Sequence, residues 1–217
     1  MLFEDDRGYS AFAFGARTIR ADTALYPSSA ASGLHCATAA MADLTDEQLM
    51  EQFCSGDKAA FATLFDRLAG RVQSFLLPMV RDPALAEDLT QATFLSVVRS
   101  RDRYTFGCSV MPWVLTIAAN AARDALRRRK LDQNNAEVEE GVVHSDPTDH
   151  GLRRQLQSAL QELPVSQREV VVLHKVQGLS FVQVAEAVGI TETAARIRAH
   201  RGYVKLRSLL AHLEESK

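Results

Sequence analysis

The chain has 217 residues, enough for one large domain or two small ones, and its 47% apolar content can fill real cores. Its formal net charge of −2 excludes a protein that is basic throughout and makes the distribution of charge the informative quantity. Cys36, Cys54 and Cys108, far apart and without a CxxC, fit reduced cytosolic thiols better than a disulfide framework, and no apolar run approaches the roughly 20 residues that span a bilayer.

The six histidines form no HExxH or paired Cys/His spacing, so no structural zinc and no cofactor is expected. Gly and Pro are sparse, and no stretch alternates with period two, so the composition predicts an all-α chain. Residues 1–40 are rich in Ala and Ser and lack a steady helical period. They read either as the product of an upstream start, with Met41 the natural beginning, or as a disordered extension. Acidic Glu4, Asp5 and Asp6 precede any apolar segment, which argues against a signal peptide.

From Thr45 the helix signals are frequent. Thr45 and Gln48 form a capping box, and Asp57 can cap a second helix after the break at "SGD". In that helix Phe61, Leu64, Phe65, Leu68, Val72, Phe75 and Leu76 make one apolar stripe. Asp82 before Pro83 predicts the start of a third, with Leu85, Leu89, Phe94, Leu95 and Val98 as packing positions. After the loop "TFGCS", Pro112 opens a fourth helix that ends in "RRRK". Residues 131–150 carry six acidic side chains and no Lys or Arg, which predicts a flexible acidic linker. It is either a solubilising tether or an electrostatic mimic of nucleic acid.

Beyond the linker, "LQELP" ends one helix and "SQREVVVLHKVQG" forms another stopped by Gly178. Ser180 caps "FVQVAEAV", and Gly189 turns the chain into a long final helix from Thr191. The expected architecture is two small helical domains, 41–130 and 151–217, the second a helix-turn-helix. In the final helix Ala195, Ala199, Gly202, Leu206 and Leu209 advance by four and three, so they form the buried face. Thr193, Ile197, His200, Arg201 and Ser208 lie opposite, with Arg196 and Arg198 on the flanks. Arg there could read guanine in a major groove, and an apolar side chain could touch a thymine methyl.

Two further segments invite a function. In residues 111–130, Trp113, Ile117 and Leu126 anchor one helix face, while Asn120, Arg123, Arg127, Arg128 and Lys130 are polar or cationic. With Tyr104 and Phe106 they suggest a platform for phosphates and unstacked bases. In residues 86–94, Glu87, Asp88 and Gln91 share one side of a helix. Paired carboxylates could serve acid/base or metal chemistry, but no second cluster completes such a site; a surface for a basic partner fits better.

Four stretches in order, "GDKAAFATLFDRL", "DPALAEDLTQATFLSV", "FGCSVMPWVLTIAANAARDALRRRK" and the segment from "ALQELP" to "GYVKLR", resemble the sigma-70 superfamily of bacterial RNA polymerase sigma factors, in its small extracytoplasmic function (ECF) group. The resemblance implies a non-enzymatic, cytoplasmic initiation factor, set in a stress or envelope response. Its implied partners are core RNA polymerase, through the clamp helices of the beta-prime subunit, promoter DNA and an anti-sigma factor, without membrane insertion. Glu87, Asp88, Leu89, Gln91 and Phe94 then belong to the polymerase-docking helix. Phe106, Trp113, Asn120, Arg123 and Arg127 correspond to the part that melts and reads the minus-ten element. Arg196, Ile197, Arg198, His200 and Arg201 lie where the family meets the minus-thirty-five element, and the acidic linker matches the segment that threads toward the polymerase channels. Many members carry "GTV" and a small polar residue where this chain has "TAARIRAHR", so Ile197 marks a departure. The last domain also resembles LuxR-type regulators, but no α/β receiver pattern precedes it; an enzyme acting on nucleic acid through Glu87 and Asp88 is the third reading.

Overall fold

A computed structural model describes residues 43–135 and 151–214, all helix and connecting turn, with no strand among them. The expectations for residues 1–40, and for the acidic segment beyond Asn135, fall outside the described residues. Helix α1 spans Asp46–Cys54, α2 Lys58–Val80, α3 Pro83–Arg99 and α4 Val110–Asn135, with a 3-10 turn at Arg101–Arg103. Helices α5 (Gly151–Gln161), α6 (Val165–Val171), α7 (Phe181–Val188) and α8 (Glu192–Glu214) make the second unit.

The helix starts follow from local chemistry. Thr45 and Gln48 close a reciprocal capping box, and the Asp57 and Asp82 carboxylates each accept two backbone N–H groups of the helix they open. Ser180 and Gln183 repeat the box at α7, and Gly189 ends that helix at φ 73°, a left-handed conformation that favours glycine. In α2, Leu64, Leu68, Val72, Phe75 and Leu76 are buried, and Phe61 and Phe65 pack on the rim beside Phe94 of α3.

Three details differ from the sequence reading. Leu95 stands 58% exposed rather than packed, because Thr93, Phe94 and Val97 fill the inward positions of α3. Helix α4 begins at Val110 and continues to Asn135, five residues into the expected linker. The cations 127–130 therefore stand before the last turn of α4, where the macrodipole no longer accounts for them. The helix after Pro164 is α-helical only to Val171; Val172–Val176 widen into a π-turn, with the Gln177 N–H donating to Val172 O.

The two units meet along α2 and α4 on one side and α5, α6 and α7 on the other. Polar groups hold this seam. Arg168, 4% exposed, donates to Pro78 O and Met79 O at the end of α2, and to Gln161 O and Leu163 O at the end of α5. Burial, with Arg81 nearby, pushes its guanidinium down to about 10, so it stays charged at neutral pH. Arg81 also donates to Gln161 O, Arg71 to Gln177 O, and the Gln177 amide to the Ser74 hydroxyl.

Within the second unit Ala195, Ala199, Gly202 and Leu206 are buried as the periodicity predicts, with Leu209 half-buried. Gly202 brings α8 onto α6 so closely that an added Cβ would lie 2.7 Å from Val171 Cγ2. Gly70, exposed in α2, has nothing within 4 Å of that position. Gly70→Ala is expected to stabilise the chain by up to about 1 kcal/mol through helix propensity. Gly202→Ala is expected to destabilise it by about 1 kcal/mol or more as crowding outweighs the same gain. Urea melts of the two variants check this, and a stabilised Gly202→Ala would contradict the close crossing.

Candidate nucleic-acid and polymerase interfaces

On α3 the capping Asp82 and the inward set Ala86, Leu89, Thr90, Thr93 and Phe94 fix which side faces out. Glu87, Asp88 and Gln91 are exposed together on that outer side. Leu89 and Phe94 are not surface groups: they are 9% and 3% exposed, and the Phe94 ring packs 4.7 Å from Phe65. Their part in a docking helix is to seat it. Among the described residues no group of three His, Cys, Asp or Glu could hold a metal ion.

The loop before α4 is built around Tyr104. Its ring lies 5.3 Å from Trp113 and 6.1 Å from Phe106, and its hydroxyl donates to Cys108 O. Burial, then the Glu47 carboxylate, pushes its phenol up to about 12. Tyr104 is only 6% exposed, so it is a post for the loop rather than half of a base-stacking platform. Phe106 is 61% exposed, and Trp113 is half-buried against a cleft of about 420 Å³. Gln183 and Glu186 of α7 stand across that cleft from Tyr104, Pro112 and Trp113.

Asn120 and Arg127 are exposed on α4, but Arg123 is turned into the seam. Its guanidinium donates to Val188 O at 3.0 Å, to Ala187 O and to Asn120 Oδ1, which caps the end of α7 from the other unit. Arg127 pairs with Asp124 at 3.0 Å, an exposed contact of small energetic weight. Two minus-ten candidates, Asn120 and Arg123, are thus engaged with each other, and Arg123 with the helix-turn-helix unit.

Helix α8 presents Ile197 47% exposed, with His200 and Arg201 also outward. Arg196 bonds to Glu192, while Arg198 is half-buried and near enough to Glu169 to draw on its charge. Glu169 itself is 2% exposed, and its Oε1 has no hydrogen-bond donor although Arg123 Nε lies 3.5 Å away. Burial pushes its carboxyl up to about 6, against the pull of Arg123 and Arg198. Sequence reasoning did not single out Arg71, Arg168, Glu169 or Gln177; their partners across the seam are distant in the chain and leave no local pattern.

Because the folded Glu169 pKa lies above its ordinary 4.5, its neutral form favours the fold. That contribution is complete below about 4.5 and is lost as pH rises through about 6. The stability of Glu169→Gln relative to the parent is therefore expected to grow by about 2 kcal/mol between pH 4.5 and 7.5. Denaturant melts across that range test it; a difference independent of pH would contradict the burial of an ionisable carboxyl.

Residues 64–131 match Sigma-70 region 2 and residues 153–206 match Sigma-70, region 4. The chain is 54% identical over 169 residues to the RNA polymerase sigma factor CarQ of Myxococcus xanthus, covering 76% of this chain and 97% of that protein. It is 31% identical over 172 residues to the ECF RNA polymerase sigma factor SigK of Mycobacterium sp. (strain KMS), covering 75% and 89%. Among solved structures, the sigma factor RpoE of Bartonella quintana in complex with the anti-sigma factor NepR shares the fold at TM-score 0.62 and 23% identity, over 70% of this chain and 96% of that one. CnrH in complex with the cytosolic domain of CnrY matches at TM-score 0.61 and 25% identity, over 77% and 97%. The chain belongs to the sigma-70 type RNA polymerase sigma factors, in their extracytoplasmic function (ECF) group.

Proposed function

We propose that this chain, as a sigma factor, divides its work between its two helical units. It binds core RNA polymerase and directs initiation to a distinct promoter set, in a stress or envelope response, with no chemistry of its own. The observation that carries this reading is the helix-turn-helix of α7, Gly189 and α8, which buries one stripe of α8 and turns Ile197, His200 and Arg201 outward. The acidic outer side of α3 supplies the polymerase contact through Glu87, Asp88 and Gln91, on the clamp helices of the beta-prime subunit. Phe106, Trp113, Asn120, Arg123 and Arg127 serve the minus-ten element, and α8 serves the minus-thirty-five element. The site of action is the cytoplasm, where polymerase and promoters are; no helix among the described residues is long and apolar enough to cross a membrane. An anti-sigma partner of the kind seen with RpoE would hold the chain in reserve.

The packed seam supports one more step. The two promoter elements lie about 25 base pairs apart by name, roughly 80 Å along B-form DNA. Helix α7 lies against α4, so one unit cannot sit on each element without separating from the other. The free chain therefore rests closed, with Arg123 occupied, and binds promoter DNA weakly. Core polymerase holds the units apart.

Charge reversal at Glu87 and Asp88 is expected to weaken core binding at least tenfold while leaving thermal stability unchanged, since both are exposed. Unaltered core affinity would remove the docking role of α3. Transcription in vitro with core polymerase and genomic DNA, mapping the starts that appear only on addition of the chain, tests the function itself. A discrete promoter set is expected; tight promoter binding by the free chain, with no new starts, would instead support a helix-turn-helix regulator.

A further inference from the structure

The entry to α8 holds a second arrangement. The capping box of Ser180 and Gln183 sets Phe181 as the first residue of α7. The π-turn at Val172–Val176 places His174 beneath it, and His174 Nδ1 is 2.7 Å from Leu179 O, which fixes the imidazole edge. The imidazole and the Phe181 ring stack with centroids 4.0 Å apart and planes at 26°. The Arg196 guanidinium also lies over the Phe181 ring, Cζ 4.9 Å from its centroid. His174 and Arg196 thus both meet the Phe181 ring, and the three side chains come from three different segments.

Glu192, one turn earlier on α8, fixes the remaining freedom. Arg196 Nε donates to Glu192 Oε1 at 3.0 Å, and Nη2 donates to the same oxygen. Glu192 therefore occupies the side edge of the guanidinium, the Nε–Nη2 edge. The end edge, with one N–H on each terminal nitrogen, keeps its two parallel donors. The Arg196 side chain is 61% exposed, so that edge can meet a partner. Two parallel donors match the O6 and N7 acceptors of guanine in the major groove. A lone exposed ion pair would add little stability. Its effect here is preorganisation: Arg196 has surrendered rotamer freedom before DNA arrives. The neighbouring cations are placed differently. Arg198 is half-buried toward Glu169, and Lys205 donates to Glu162 O.

We propose that Arg196 reads a guanine of the minus-thirty-five element through its end edge, and that Glu192, Phe181 and His174 are positioning residues that present it. The inference rests on the assignment of α8 to that element. It assigns base readout to one arginine among several and gives three further residues a part in specificity.

The test uses holoenzyme formed from the full chain and core polymerase, with duplexes carrying a mapped promoter randomised across the upstream element. Selection and sequencing should show one position with a guanine preference of roughly five- to 150-fold. Arg196→Ala, which removes the fork, should abolish the preference at that position while leaving most of the salt-dependent binding to unselected duplex intact. Glu192→Gln and Phe181→Leu should reduce the preference at that same position and at no other. An unchanged preference in Arg196→Ala overturns the inference alone. An equal loss at every position in Glu192→Gln or Phe181→Leu marks a damaged helix-turn-helix and overturns the positioning role. No selected sequence with the parent chain overturns the assignment of α8 as well.

Discussion

A helix ends with four carbonyls that have no partner within it, and the negative end of its dipole gathers there. In this chain several such ends are brought to the seam between the two units, and arginines from across that seam answer them. Arg168 takes the end of α2 across the seam while holding the end of α5 in its own unit, Arg123 serves the end of α7, and Arg71 takes Gln177 O after the π-turn. Much of the remaining geometry follows. The seam places α7 against α4, sets Glu169 beside Arg123, and closes α7 over the cleft at Tyr104 and Trp113.

A seam of this kind differs in energetic character from an apolar core. Each charge-assisted bond to a carbonyl exchanges for a bond to water or phosphate when the units part, so opening costs less than exposing an equal area of Leu and Val. Arg123 shows the consequence most directly. The donors that cap α7 in the closed chain are the donors that a phosphate backbone would attract. The same side chain can thus stabilise the resting arrangement and contribute to DNA binding, though not both at once. The buried Glu169 has no donor on its Oε1, which leaves this part of the seam less settled than the one around Arg168.

How much of this could be read in advance depended on how local the cause was. The caps at Thr45, Asp57, Asp82 and Ser180, and the turn at Gly189, act within a few residues and were legible as written. So was the buried stripe of α8, because a four-three spacing has one geometric meaning on a helix. The seam was not legible. Most of its acceptors are backbone carbonyls, which every residue has, and its hydrogen-bonded partners stand 64 to 106 positions apart. Tyr104 and Phe106 read alike in sequence; only packing against Trp113 makes one a buried post and leaves the other exposed. Leu89 and Phe94 were legible as packing positions of α3 and turn inward, so the exposed side of that helix falls to Glu87, Asp88 and Gln91. The ring contacts beside Arg196 needed the π-turn, which nothing in "REVVVLHKV" announced.

On the proposed reading, the free chain rests closed on its arginine caps and opens when it takes up polymerase and promoter. Energy transfer between a dye on exposed Cys108 and one on Ser208→Cys, with Cys36 and Cys54 replaced by Ser, measures the separation of the units directly. High transfer is expected in the free chain, falling when core polymerase and a mapped promoter are added. Low transfer in the free chain, unchanged by either addition, would contradict it.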